Sequence, residues 1–323
     1  MESFSKGVLL AGEPMGLFIA EEPGALDAVR SFSFATCGAE LNVAIGLRRL
    51  EQPVSYLTKL GDDPFGRRIA RQMDQLGICA AELSFSKTHP TGFVMKERVE
   101  KGDPGVVYFR KGSAASTLSA QDVERLDFSG FDTLHLTGIL PALSDSCREA
   151  AKTLCRKAKE AGCRISFDPN LRPQLWNSEA EMVQWIHLFA AQADLFLPGV
   201  QEAKRLIGES VPEKIAERYL AMGAKTVVLK LGKEGAYYAS VSGDCGYVKG
   251  FPVKTVVDTV GAGDGFAIGV LSACREGLSL AEAVRRGCAI GAIQVMSKGD
   301  NDGLPTRAQL NAFLKGDADW KDA

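Results

Sequence analysis

The chain reads as an α/β protein: a three-layer α/β/α sandwich with a mostly parallel central sheet and a small β-lid. Three observations carry this expectation. From about residue 130 onward, short β-rich runs alternate with helical patterns, the rhythm of a parallel sheet covered by helices on both faces. Late in the chain, a glycine-rich turn opens a long apolar helix pattern. Two stretches of mixed polar and apolar residues break the alternation and look like antiparallel ribbons. The 323 residues are read as one domain, 1–323, with lid segments inserted at approximately 14–36 and 91–113. No Ser- or Pro-rich linker, internal repeat or low-complexity tract divides it.

Taken in order, Glu2 leads quickly into a strand over Gly7–Ala11. Met15–Ala20 with Arg30–Ala35 form the first ribbon. Cys37-Gly-Ala-Glu-Leu-Asn42 then enters a helix that runs through Arg48. In Gly61-Asp-Asp-Pro-Phe-Gly66, Asp62 and Asp63 are expected to cap a helix starting near Pro64, where the absent N–H costs nothing. Gly92–Val99 with Val106–Arg110 form the second ribbon. Thr133–Thr137, Cys163–Asp168, Asp194–Pro198 and Thr226–Leu231 are apolar runs of strand length, expected as buried parallel strands. Between the first two, Asp145–Ala161 places Cys147, Ala151, Leu154, Cys155 and Ala158 on one helical face. The β-branched run Thr255, Val256, Val257 precedes the last turn, and a helix begins near Phe266.

Composition narrows the function. A hydrophobic content of 46% supports a sizeable core, and a formal charge of −2 with scattered Lys and Arg gives no basic face for nucleic acid. The eight cysteines form no Cys-x-x-Cys pair and fall largely at apolar positions, the pattern of reduced thiols in a cytoplasmic protein. No signal peptide or membrane-spanning run is read, so a membrane is not expected as a partner.

Asp258-Thr-Val-Gly-Ala-Gly-Asp-Gly-Phe266 carries the most chemistry. Gly261, Ala262 and Gly263 let successive amides converge at a helix N-terminus, where unpartnered N–H groups and the macrodipole attract anions. A carboxylate beside an anion hole suits a site that also takes a proton. Amides would hold charge developing on a transferred phosphoryl group while Asp264 accepts a hydroxyl proton. Taken alone, the same residues also suit an ordinary helix cap. The string lacks the Gly-Lys-Ser/Thr of a Walker A loop and carries an acid where a dinucleotide fold needs neutrality.

Other blocks lie where a sheet of this kind binds ligands, beyond the carboxyl ends of its strands. Gly38 permits close approach to backbone, and Asn42 offers a donor and an acceptor to hydroxyls. Tyr108 and Arg110 stand two apart and face one side of the lid, where a planar guanidinium is a natural carboxylate receptor. Ser166-Phe-Asp-Pro-Asn-Leu-Arg172 follows a buried strand, placing Asp168 and Asn170 for phosphate, metal-water or hydroxyl contacts and Arg172 as a second cation.

These strings resemble the ribokinase-like (phosphofructokinase-B type) carbohydrate kinases over essentially the whole chain. The likeness runs from Gly12-Glu13-Pro14 through Tyr108-Phe-Arg110, Leu136-Thr-Gly-Ile139 and Asp168-Pro-Asn-Leu-Arg172 to Ser297-Lys-Gly-Asp300. It is strongest toward members that act on 2-keto-3-deoxygluconate. The resemblance implies that ATP and Mg2+ are cofactors, with Asp264 as general base for transfer to the terminal hydroxyl. It implies that Gly38, Tyr108, Arg110, Arg172, Asp264 and Asp300 contact a sugar acid, whose carboxylate would occupy the arginines. Lys230-Leu-Gly-Lys-Glu-Gly235 would approach the nucleotide through Lys230, Gly232 and Gly235, joined by Asn170, Gly261 and Gly263. Glu202 would reach the metal through water. Three departures stand out: Cys37 replaces a family glycine, Gly199 in Gly199-Val-Gln-Glu202 replaces an asparagine, and Cys288 stands where relatives often carry asparagine.

Two rivals remain at this point. A fructokinase or related sugar kinase would share the base and the anion hole but leave Arg110 and Arg172 without a carboxylate. A sugar- or nucleotide-binding regulator would keep the fold without turnover, against which the intact Asp264 turn weighs. An open lid also offers edges on which a second copy could pair, giving a homodimer.

Overall fold

The computed structural model describes residues 6–99, 104–297 and 299–323. Glu2, residues 100–103 of the second lid segment and Lys298 of the Ser297–Asp300 string lie outside the described residues. The strands are β1 Gly7–Ala11, β2 Met15–Pro23, β3 Phe32–Cys37, β4 Val54–Gly61, β5 Cys79–Ser86, β6 Phe93–Arg98, β7 Val106–Phe109, β8 Phe131–Thr137, β9 Arg164–Asp168, β10 Leu195–Phe196, β11 Thr226–Lys230, β12 Gly235–Ser240 and β13 Cys245–Lys249. The helices are α1 Ala39–Arg49, α2 Pro64–Gln75, α3 Ala120–Glu124, α4 Ile139–Leu143, α5 Asp145–Glu160, α6 Glu179–Ala190, α7 Val200–Ile207, α8 Pro212–Met222, α9 Ala262–Arg275, α10 Leu280–Gln294 and α11 Arg307–Lys315.

Among the described residues, nine strands form the main sheet in the order β13-β12-β11-β10-β9-β8-β1-β4-β5. Pairing is parallel from β11 to β5, while β12 and β13 add an antiparallel margin. The chain leaves β1 toward β4 and β5, then returns to its other side with β8. The crevice between the carboxyl ends of β1 and β8 is therefore the switch point where such sheets bind ligands.

Period-2 alternation divides β1 between two cores. Leu9 and Ala11 join the layer made with α5, α6 and α8, whereas Val8 and Leu10 join the layer made with α1, α9 and α10. Leu9 and Leu10 are wholly buried. Truncating either to Ala would cost about 2–5 kcal/mol through lost transfer energy and the cavity left behind. The expected face of α5 is borne out, with Cys147, Ala151, Leu154, Cys155 and Ala158 all buried.

The lid is one four-stranded sheet, β3-β2-β6-β7, rather than two separate ribbons. Each ribbon is antiparallel as expected, and β2 joins them by pairing parallel with β6. A local sequence pattern cannot show that join, because the two ribbons are separated by β4, α2 and β5. At α2, Asp63 accepts from Gly66 N at 2.8 Å and from Thr91 N at 2.7 Å. Asp62 does not cap; it pairs with exposed Arg67.

One strand expectation needs correction, and one β-branched run forms no strand. The run Asp194–Pro198 shortens to Leu195–Phe196, although Asp194 N and Leu197 N still bond to β9 carbonyls. Thr255–Val257 is no strand at all. Val257 N bonds to the Val295 carbonyl at 2.8 Å, and Val256 and Val257 are left exposed. β-branched residues favour strands only where a pleated partner surface is present. No helix among the described residues is long and apolar enough to cross a membrane.

Candidate active site

Asp264 lies in the first turn of α9, whose N-cap is Gly261 at φ 78°. That left-handed backbone favours glycine, and a Cβ there would collide with the Asp300 carbonyl. Ala262 N leans on the Thr259 carbonyl at 3.4 Å, while the Gly263 and Asp264 amides lie where a helix has no i−4 carbonyl to offer. The glycine turn thus leaves amides without helical carbonyl partners, with the acid beside them.

Asp264 is nearly buried. Burial lifts its carboxyl to about 7, and Asp168 and Asp300 push the same way, against the Asn42 hydrogen bond and Arg172. Asn42 Nδ2 donates to Asp264 Oδ2 at 2.7 Å. Asn301 Nδ2 donates in turn to Asn42 Oδ1 at 2.9 Å and to the Thr36 carbonyl at 3.2 Å. Asn42, expected at a substrate hydroxyl, here spends its amide N–H on orienting the acid. Asn301 was not foreseen; only its place beside Asp300 hints at it.

The cavity in front of Asp264 has a volume of about 430 Å³, and the residues from the lid, the glycine turn and the β9 loop meet around it. Gly38, Asn42, Tyr108, Arg110, Asn170, Arg172, Glu202, Lys230, Gly261, Gly263, Asp264 and Asp300 all line it. Gly38, at φ 143°, holds its backbone against Glu13, whose carbonyl oxygen would be 2.7 Å from any Cβ. Gly232 and Gly235 bracket a short 3-10 turn behind the cavity, and neither is among its lining residues. A larger basin of about 640 Å³ opens near Asp132, Arg164, Asp194 and Lys225, at the amino ends of the strands. It lacks the glycine turn, and its Lys225 and Arg275 are paired with Asp194 and Asp132.

Arg110 follows directly after β7 and is buried with its partner already in place. Its Nε donates to Glu13 Oε2 at 2.6 Å, and its Nη2 faces the same carboxylate. Ser113 Oγ donates to the other Glu13 oxygen. The guanidinium also lies 5.7 Å from the centroid of the Tyr108 ring. Since a guanidinium carries five N–H donors, engagement of one edge leaves the Nη1 side for a ligand. Glu13, ninety-seven residues away in sequence, could not be paired with Arg110 by any local pattern.

At the floor, Asp168 Oδ2 accepts from Lys230 Nζ at 2.6 Å and Oδ1 accepts from Asn170 N at 3.0 Å. Burial alone would lower the Lys230 ammonium, yet Asp168 and Glu202 outweigh it and raise it. Glu202 accepts from Gly199 N at 2.7 Å and Leu171 N at 2.9 Å, so it braces the β9 loop and caps α7. Arg172 Nη1 donates to the Leu171 carbonyl at 2.9 Å. From the lid, Lys96 Nζ reaches Asp258 Oδ2 at 2.6 Å and lies 3.6 Å from Asp300 Oδ1. Cys288 is buried in the α10 core, where burial pushes its thiol up to about 11.

Comparison with known proteins points to one family. A family model described as pfkB family carbohydrate kinase matches residues 7–307. A 2-dehydro-3-deoxygluconokinase of Bacillus subtilis (strain 168) is 47% identical over 304 residues, covering 94% of each chain. A PfkB protein from Polaromonas sp. JS666 superposes with a TM-score of 0.88 at 44% identity, covering 95% of this chain and 99% of that one. A fructokinase double mutant from Vibrio cholerae O395, in a fructose-, ADP- and potassium-bound form, gives a TM-score of 0.86 at 26% identity over 97% and 100% of the two chains.

Proposed function

This chain belongs to the pfkB family of carbohydrate kinases, and we propose that it transfers the terminal phosphoryl group of ATP to the terminal hydroxyl of 2-keto-3-deoxygluconate. The product is 2-keto-3-deoxy-6-phosphogluconate. The observation that carries the choice of substrate is the pair of arginines, Arg110 and Arg172, lining one cavity with Asp264. Glu13 engages one edge of Arg110 and Arg172 is partly exposed, so both keep N–H donors with which a substrate carboxylate can form charge-assisted hydrogen bonds. The 47% identical relative named for this sugar acid supports the same reading.

Asp264 takes the proton of the attacking hydroxyl, and its lifted carboxyl makes it a competent base near neutral pH. The attacking oxygen then bonds to phosphorus as the bond to the ADP oxygen breaks. The Gly263 and Asp264 amides stabilise charge on the transferred group. Lys230 and Asn170 meet the phosphates from the β9 side, and Gly232 and Gly235 shape the turn beside them. Gly38, Tyr108 and Asp300 close around the sugar. When bound with ATP, Mg2+ would supply neutralisation of phosphate charge. Glu202, fixed by its two backbone donors, would hold it through water.

Two further parts belong to this proposal. The chain works as one kinase unit with the lid inserted in it, in the cytoplasm, where its eight free thiols stay reduced. It pairs with a second copy through the lid, whose edge strand β7 leaves Val107 and Phe109 nearly half exposed. The activity is tested by incubating the protein with ATP, Mg2+ and 2-keto-3-deoxygluconate and locating the phosphate in the product by phosphorus–proton NMR. Phosphate on the terminal carbon supports the proposal, and absence of product rejects it.

A further inference from the structure

Lys96 has no part in the reaction just described, yet it is one of the most constrained cations in the protein. It stands on β6, a central strand of the lid, paired with Ile19 on one side and Val106 on the other. Two ladders therefore fix its backbone. Its side chain is only 7% exposed and reaches out of the lid to the loop that precedes α9. There its ammonium sits 2.6 Å from Asp258 Oδ2, and the other oxygen of that carboxylate accepts from Val260 N at 3.1 Å. Val260 is followed directly by Gly261, the left-handed residue that aims the anion hole.

Residues 251–259 form no strand, and the Val257 and Asp258 amides both turn to the single Val295 carbonyl. Asp258 and Asp300 flank the glycine turn, and Asp300 Oδ1 has no hydrogen-bond partner. Without a cation, two acids would face the place where a triphosphate must come. Lys96 lies within 4 Å of both. With both ends of each pair little exposed, solvent screens the attraction weakly.

We propose that Lys96 is a positioning residue for phosphoryl transfer: through Asp258 it holds the Val260–Gly261 turn in register, so that the lid fixes the anion hole as well as covering the sugar. The kinetic part of this inference rests on the proposed kinase reaction, whereas the mechanical part does not. Turnover depends steeply on placement, since a shift of about 1 Å at donors to a transition state can cost roughly 100-fold. Lys96 also lines the cavity beside Asp300, so the KM values separate a positioning role, which leaves them nearly unmoved, from direct contact with the sugar.

The test compares Lys96→Met, Asp258→Asn and the double variant with the wild-type protein. Asp258→Asn keeps an oxygen for Val260 N while losing the ion pair, and so covers the case in which Lys96→Met folds poorly. Each single variant should lower kcat roughly 10–100-fold, with both KM values within about three-fold of wild type. The double variant should be no worse than the worse single, because both break one link. Hydrogen exchange in the ligand-free protein should quicken at least about ten-fold across residues 257–264 and stay unchanged across β2 and β3. Unchanged exchange at 257–264 would overturn the proposal. So would a variant with intact kcat and a raised KM for the sugar acid, which would make Lys96 a substrate ligand. If wild-type protein does not phosphorylate the sugar acid, the reaction assignment fails, and the exchange result still decides the role of Lys96.

Discussion

The side-chain amide of Asn42 donates a 2.7 Å hydrogen bond to Oδ2 of Asp264, joining the first helix to the turn that carries the acid. The bond stabilises the ionised carboxyl and leaves Oδ1 as the oxygen to receive a proton. Asn301 holds Asn42 from behind, so three residues from distant parts of the chain set one carboxylate.

Replacing Asn42 by Leu should remove that orientation while keeping side-chain volume. A fall in kcat of roughly 10–100-fold is expected, with ATP affinity little changed. Because the lost bond favoured the charged form, the acid limb of the pH–rate profile should also move to higher pH. Steady-state kinetics between pH 5 and 9 checks both effects.

Asp264→Asn keeps the shape of the site and removes its base. Turnover should fall by about 10²–10⁴-fold, with ATP binding largely retained. In the wild-type protein, kcat/KM should decline as pH drops through about 7, where the free enzyme's Asp264 becomes protonated. Single-turnover kinetics with calorimetric ATP binding separates loss of chemistry from loss of the nucleotide.

Stability should show the same burial with the opposite demand on pH. Glu40 is wholly buried, accepts from Thr137 Oγ1 at 2.5 Å, and has its carboxyl lifted by burial from 4.5 to about 7. A raised carboxyl means that the fold prefers the neutral form. Its contribution is complete below the unfolded value near 4.5 and is lost as pH rises through about 7. Glu40→Gln should flatten this part of the curve, gaining on the order of 3 kcal/mol relative to wild type between pH 4 and pH 8. Denaturant unfolding at both pH values measures the difference.

How much of this was legible in the sequence differs from residue to residue. Asp264 was readable because its whole environment, the glycine turn and the helix that follows, is written in consecutive residues. The β-branched run at Thr255–Val257 forms no strand, since none lies alongside it to receive its ladder. Arg110 lines the cavity, and its buried pairing with Glu13, which depends on the lid meeting the end of β1, has no local signal. Asn42 lines the same cavity, with Asp264 rather than a ligand as the partner of its side chain. Lys96 carried no signal, because a lysine in a mixed polar strand looks like a solvated one until the fold turns that face inward.

Arg110→Ala should weaken the sugar acid by roughly 2–4 kcal/mol while leaving ATP nearly unaffected. It should also destabilise the fold by about 3–5 kcal/mol, because Glu13 would remain buried without its cation. KM values for both substrates together with a melting curve test this pair of effects. Equal weakening of both ligands would place Arg110 outside the sugar site.

The central claim is that two arginines and one acid in a single cavity select a sugar acid. Its most direct test is the ratio of kcat/KM for 2-keto-3-deoxygluconate to that for fructose, ribose and adenosine, at the same ATP and Mg2+. A neutral substrate leaves Arg172 and the free Nη1 edge of Arg110 without the charge-assisted bonds a carboxylate would make, which should cost roughly 4 kcal/mol, a ratio on the order of 10³. A ratio near one for fructose or ribose would contradict the claim and leave the protein a general sugar kinase.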